Sequence, residues 1–560
     1  MTTTVDLPKG TAAHRRRSVQ RVREAWVTVA AFAVGGLVLF FAYLGQARTM
    51  PAMSDGSSQA LQAWAMLHGN VLLHGWSLSD VSFYTTELPE YMLVEIVKGL
   101  RPDIVHVAAA LTYTVLVLLA ALVAKGAATG RTGAVRALVA AGIMLAPALG
   151  PLNTTFVVLS YPDHTGTQIP LLVAWLLIDR VKPRWWVPVL VTAVLAWVQV
   201  ADTMALYEAA IPLAVVCAMR LYQRGGLRGV PPTAPPAHHP SQHSWGPGAL
   251  SERWYELALL LGALGSAAMA TMALRLIKQE GGFAVWTPSA GFARSSGLDA
   301  HLWTKVEHIL VLYGADFFGR PMIWSIMPLI HLVGVGLVVA GVVAAARRFF
   351  SRDTSLFVQI LTASFALVLA AFVFGDRAGS WEAVALLPLG AILAGRLLTD
   401  WLTKAKLIPV LAAALALYGL CLTYNASRPA PFSPNQRIAN WLGAHHLRYG
   451  LASYWEASSV TLDSGDYVRV RPVRTEGSHL LLTHWNAATS WYDPRLHDAR
   501  FVIFRHCKGC LSLAGLRAAF GPPARTYRVV RYLVLVWNKN LLRGPYVSGP
   551  PEGMRVGQNR

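Results

Sequence analysis

Residues 53–90 read MSDGSSQALQAWAMLHGNVLLHGWSLSDVSFYTTELPE, and their place between two apolar segments decides the fold. The stretch carries too many polar groups to stay in a bilayer, where nothing hydrates them. It therefore forms a loop on one side of a membrane. The flanking segments, 26–46 and 103–124, are then two crossings in opposite directions, each near the ~20 residues a bilayer requires. Asp55 stands beside one helix start in this loop and Glu87 at the next. Between them His68, His74, Trp76, Ser82, Tyr84 and Thr85 mix hydrogen-bonding and ring-stacking groups, which suits a hydroxyl-rich ligand better than a hydrophobic core.

The pattern recurs along the chain. Of 560 residues, 54% are hydrophobic and 14% charged, and the mean hydropathy is +0.43. These values exclude an ordinary soluble protein and indicate a polytopic membrane protein. The net charge of +20 is scattered in short clusters between apolar segments. Such clusters set orientation and attract anionic lipid; they do not form the continuous basic face that a nucleic acid needs. The four cysteines make no disulfide framework, and Cys217 and Cys421 read as buried small side chains.

Residues 1–25 hold Arg15, Arg16, Arg17, Arg21 and Arg23 and stay cytoplasmic by the positive-inside rule. No small-x-small site follows residues 26–46, so that segment reads as a retained helix and not a signal peptide. Further crossings are expected at 135–150, 167–178, 186–200, 205–219, 254–274, 322–346, 355–374, 381–398 and 407–424, about eleven in all. The transmembrane bundle thus covers 26–424, with external loops at 47–103, 151–166 and 275–321. Lysine and arginine concentrate in the opposite loops, at Lys125, Arg131 and Arg136, at Arg180, Lys182 and Arg184, and at Arg347, Arg348 and Arg352. The Pro/His-rich stretch 220–253 reads as a flexible cytoplasmic linker.

From residue 425 the pattern turns soluble: 467–473, 501–504 and 527–536 alternate as strands, and 438–447 and 512–520 read as helices. An odd number of crossings puts this domain, 425–544, outside, followed by a flexible tail at 545–560. The expected fold class is mainly α: a polytopic helical membrane bundle in a plasma (inner) membrane, with a small extracytoplasmic α/β C-terminal domain.

Several residues are suited to chemistry. Asp55 reads either as a helix cap or as a general base that takes a proton from an acceptor hydroxyl. The helix behind it, 57–68, reads as amphipathic and lying at the membrane surface. Glu87 either complements a helix start, or joins Asp55 in holding a divalent cation, magnesium or manganese, or one of the two carboxylates orients the acceptor. Asp163 and His164, in the turn SYPDHTG, reach the same membrane face as a base, a metal ligand or a phosphate contact. Trp76 and Tyr84 are candidates to bind substrate. Arg294, Lys305, His308, Arg320 and Arg377 are cations on the side where a departing lipid phosphate would need neutralising. Cys507 and Cys510 have the C-x-x-C spacing of redox or zinc sites, but with no second ligand pair and an external domain a local disulfide is expected. Glu208 and Gln199, near Pro212, are polar groups inside apolar segments, as a transporter or flippase of a lipid-linked glycan would have. Tyr454, Trp455, Trp485 and Trp491 could bind cell-wall sugar in a non-catalytic assembly protein.

Asp55 shortly after the first helix, the AlaLeuGlnAlaTrp run behind it, GlyTrpSerLeuSer, PheTyrThrThrGlu, the PDHTG loop and YGLASYWEASSVT at 449–461 together resemble the glycosyltransferase C superfamily. That resemblance implies a polyprenyl-phosphate sugar donor, a catalytic acid in the first external loop, and inverting transfer to a cell-envelope glycan or lipid acceptor. The chain departs from protein mannosyltransferases, which have an Asp-Glu pair where Asp55 is followed by Gly56. It departs from oligosaccharyltransferases, which have D-x-D-like metal motifs where His164 and Thr165 follow Asp163. Acceptor and metal use are left unassigned by the resemblance.

Overall fold

The computed structural model describes residues 10–145, 154–225, 251–286, 291, 298–316, 322–376, 379–429, 433–476, 479–506 and 510–544. In chain order the bundle side begins with α1 (Gly10–Ala47). The first loop follows, with α2 (Ser54–Leu67), β1 (Trp76–Leu78) and α3 (Glu87–Lys98). Then come α4 (Ile104–Lys125), α5 (Gly130–Met144), α6 (Thr154–Leu159), α7 (Thr165–Arg180), α8 (Trp186–Ala201), a π-helical turn Leu206–Ala210, α9 (Ile211–Gln223) and α10 (Glu252–Gln279). The second long loop holds β2 (Ala284–Val285) and α11 (Leu298–Leu312). It leads to α12 (Met322–Arg347), α13 (Leu356–Phe374), a 3-10 turn Ser380–Ala383, α14 (Leu386–Lys404) and α15 (Ile408–Ala426).

Every segment expected to cross falls in or overlaps a helix. Among the described residues six spans are long and apolar enough to cross a membrane: Trp26–Ala47, Ile104–Lys125, Glu252–Gln279, Pro328–Arg347, Leu356–Phe374 and Ser380–Lys404. Trp186–Ala201 and Ile408–Tyr424 are apolar but shorter. The others fall short for local reasons: α7 begins in the polar Thr-Gly-Thr-Gln run, and α9 follows a π turn carrying Glu208. Span Ser380–Lys404 is 83% buried and Ile104–Lys125 67%, against 11% for Trp26–Ala47 and 22% for Glu252–Gln279. So α4 and α14 form the centre of the bundle, while α1 and α10 turn apolar faces outward.

The C-terminal part holds α16 (Pro434–Ala444), β3 (Tyr449–Ala452), α17 (Tyr454–Asp463), β4 (Arg469–Glu476), β5 (His479–Leu482), β6 (Ala487–Ala488), β7 (Phe501–Phe504), α18 (Leu513–Phe520), β8 (Arg525–Val529) and β9 (Tyr532–Val536). Its mixed sheet runs β5-β4-β3-β7-β9-β8, with β3 parallel to β4 and β7 and the other pairs antiparallel. The run expected as one strand at 527–536 is a hairpin, β8 and β9. Its two-residue turn holds Val530 at φ 54, a conformation usually left to Gly, Asn or Asp, so the residue types gave no sign of the turn.

Two joints fix this domain to the loops. Leu462 of α17 enters a buried cluster with Tyr91, Ile104, Val105 and Tyr161. A second, three-stranded sheet runs β2-β1-β6, with Ser77 opposite Ala284 in parallel and Trp76 opposite Ala488 antiparallel. The two long loops and the C-terminal domain therefore lie at one end of the bundle. α2 does not lie at a membrane surface: α17 covers it, and Ser57, Ser58, Gln59 and Gln62 are buried. In the same loop α3 does expose an apolar face, with Leu93, Ile96 and Val97 65%, 67% and 83% exposed, as suits an interfacial helix.

Candidate active site

Asp55 is half-buried in the first turn of α2, and its carboxylate caps nothing there: Met53 holds the N-cap without a side-chain bond. It accepts instead from the hydroxyl of Tyr454, the first residue of α17. The same hydroxyl accepts from Asn486 Nδ2 at 3.1 Å, and Asn486 Oδ1 accepts from Gln62 Nε2 at 3.1 Å and from the Ser79 backbone N at 3.0 Å. Residues some 400 positions apart thus close over one carboxylate. Burial raises the pKa of Asp55; the Tyr454 hydrogen bond opposes this, and the charge of Asp80 adds to it.

On the other side stands Tyr161, whose hydroxyl donates to Asp163 Oδ2 at 2.9 Å and also favours the ionised Asp55. A Cβ on Gly56 would come within 2.6 Å of Tyr161 Cβ and 2.8 Å of Val105 Cγ1. Glycine after Asp55 is what lets the α2 backbone approach Tyr161 this closely.

Asp163 is followed by His164 in the left-handed region, φ 53, at the N-cap of α7. That turn sets the imidazole between two carboxylates, with Nδ1 at 2.6 Å from Asp202 Oδ2 and Nε2 at 3.7 Å from Asp163 Oδ1. Burial works against the imidazolium, but Asp163, Asp202 and then Glu382 outweigh it and hold the His164 pKa well above its usual range. Asp163 itself is raised, by burial first, with His164 opposing. An unbroken polar chain therefore runs Asp55, Tyr161, Asp163, His164, Asp202.

Glu87 belongs to a different contact. It is fully buried, and Oε1 accepts from the Thr167 backbone N at 3.0 Å while Thr86 donates to Oε2. It caps α7, not its own helix, and a Cβ on Gly166 would lie 2.7 Å from Oε1. Burial raises its pKa to about 8, with the Thr86 hydrogen bond opposing. It stands one step behind the Asp163–His164 turn and feels the charges of Asp202 and His164.

A cavity of about 470 Å³, a size suited to small ligands, has in its lining Asp80, whose charge acts on Asp55. Met204, Tyr207, Leu274, Phe283 and Val285 form apolar walls, and Asp80, Arg275, Lys278 and Glu382 supply charge. Asp80 acts on Asp55 and Glu382 on His164, so charges lining the cavity reach two members of the polar chain. Arg275 and Lys278 sit on the last turns of α10, whose neighbouring Met272 and Leu276 are exposed.

Lys305 is 1% exposed on α11, with Nζ 4.2 Å above the Phe372 ring, close enough to Glu382 and Asp376 to feel both charges; burial lowers its pKa. His308 Nδ1 lies 3.2 Å from Ser380 Oγ. Trp76 packs edge-to-face on Trp491 at 4.8 Å, and the Tyr84 hydroxyl donates to Val71 O at 3.1 Å beside Phe283. Both rings hold the loop together, Tyr84 directly behind the cavity wall. Arg294, Arg320, Arg377 and Cys507 lie outside the described residues. Cys510 is disulfide-bonded.

Among the described residues no three His, Cys, Asp or Glu side chains converge as a metal ion would require. Tyr161, Asp202, Asn486, Arg275 and Lys278 were not singled out for chemistry from sequence. The last two had a signal: cations spaced three apart where an apolar helix reaches water. No family model matches the chain, and no curated protein matches it.

Proposed function

We propose that the protein is a membrane glycosyltransferase, of the kind the glycosyltransferase C superfamily represents, moving a sugar from a polyprenyl-phosphate donor to an extracytoplasmic cell-envelope acceptor. The observation that carries this reading is a half-buried carboxylate, Asp55, held by Tyr454 and within reach of the charge of Asp80, which lines an apolar-walled cavity together with the cations Arg275 and Lys278. The reading includes eleven crossings of a plasma membrane, with the C-terminal domain outside. The donor enters from the lipid past α10, with its chain against the apolar walls and its phosphate toward Arg275 and Lys278. Asp55 takes the proton of the acceptor hydroxyl as that oxygen bonds to the anomeric carbon. The bond from that carbon to the phosphate oxygen breaks, its electron pair leaves with the lipid phosphate, and the cations offset the new charge. Burial, by raising the Asp55 pKa, makes it a stronger base than a solvated carboxylate.

The test is purified protein in liposomes given radiolabelled polyprenyl-phosphate sugars and a cell-envelope glycan or lipid fraction, read as label in non-polyprenyl product. A second reading, transport of a lipid-linked glycan, draws on one observation: Glu208 sits in a π-helical turn and accepts from Gln168 Nε2 at 2.8 Å inside the bundle. Label that changes leaflet without leaving its polyprenyl phosphate would favour it and count against transfer.

A further inference from the structure

The seam between the second loop and the C-terminal domain carries an aromatic pair that neither the polar chain nor the cavity uses. Trp286 and Trp485 are both half-buried and meet edge-to-face, with ring centroids 5.7 Å apart. Trp286 directly follows Val285 of the cavity wall, and its backbone N donates to Ser79 O at 3.2 Å. Trp485 directly precedes Asn486, which bonds both Tyr454 and the Ser79 backbone N. The pair is therefore joined through Ser79 to both Asp80 of the cavity and the Asn486–Tyr454–Asp55 network. The mechanical joint between these segments is already made by the β2-β1-β6 sheet and by Trp76 against Trp491. What remains at Trp286 and Trp485 is two partly exposed rings, one next in sequence to Val285 of the cavity wall and the other next to Asn486.

We infer that Trp286 and Trp485 form the acceptor subsite and that the acceptor presented there is a carbohydrate ring. A sugar offers an apolar C–H face to an aromatic ring and hydroxyls at its edge to amide and carboxylate groups; a lipid chain uses only the rings. Stacking here would place the sugar at the seam between the segment that lines the cavity and the segment that carries Asn486. The inference rests on the glycosyl-transfer reading but concerns binding, which can be measured apart from transfer.

The full chain in detergent is tested by saturation-transfer NMR against glucan, mannan, galactan and arabinan tetrasaccharides. The parent should bind at least one of them. Trp286→Ala and Trp485→Ala should bind it at least about tenfold more weakly, and Trp485→Phe, which keeps a ring, should recover most of the loss. Failure of the parent to bind any tetrasaccharide, or parental binding by both alanine variants, overturns the subsite. Parental transfer by Asp55→Asn, with glycan binding still dependent on Trp485, would remove the general base and leave the subsite standing.

Discussion

Tyr454→Phe removes one hydroxyl and keeps the ring that starts α17. It takes from Asp55 the hydrogen bond that most opposes the effect of burial. A hydrogen bond to a charged group contributes about 1.5–3 kcal/mol, and about 1.4 kcal/mol is one pKa unit. Asp55 is half-buried, so solvent screens part of this and the lower end applies, roughly one unit upward. Only ionised Asp55 can accept a proton, so the acid limb of kcat/KM against pH should move about one unit higher, with the rate recovering at alkaline pH. The assay is transfer by purified protein across pH 4–9, alongside thermal melting, because Asn486 Nδ2 also loses its acceptor. A parental acid limb in a variant with parental melting would refute the idea that Tyr454 tunes Asp55.

Glu87 has a pKa near 8 against an ordinary 4.5, so between those values the folded protein holds a proton that the unfolded chain releases, and this contribution to stability declines as pH rises. Glu87→Gln, which cannot ionise, should lose less melting temperature between pH 5 and pH 8 than the parent; equal losses would count against the burial argument. Arg275→Gln with Lys278→Gln should raise KM for the lipid-phosphate donor roughly tenfold or more, as removal of charge-assisted contacts does, and leave KM for the acceptor near parental in steady-state kinetics. Val530→Asn suits the left-handed turn between β8 and β9 and should stabilise the protein by about 1 kcal/mol in thermal melting.

The helices were legible because hydropathy is local: each apolar run expected to cross became or overlapped a helix. Length was less legible. The Thr-Gly-Thr-Gln start of α7 and the π turn before α9 shorten helices in ways that follow from buried partners, Glu87 for Thr167 and Gln168 for Glu208. Asp55 could be picked from its place after the first helix, but its partners could not. Tyr454 and Asn486 come from the far end of the chain, and Tyr161 reaches it only because Gly56 has no side chain. Glu87 looked equal to Asp55 in sequence because both stand near a helix start. Folding separates them by sending one carboxylate to the N-terminus of α7 and leaving the other under the hydroxyl of Tyr454.

The general-base role of Asp55 is tested most directly by sugar transfer from a polyprenyl-phosphate donor by purified Asp55→Asn. Asparagine keeps the side-chain shape and an acceptor for the Tyr454 hydroxyl but cannot take a proton. The variant should melt like the parent and lose on the order of 10²–10⁴ in kcat. Transfer at the parental rate would contradict the account.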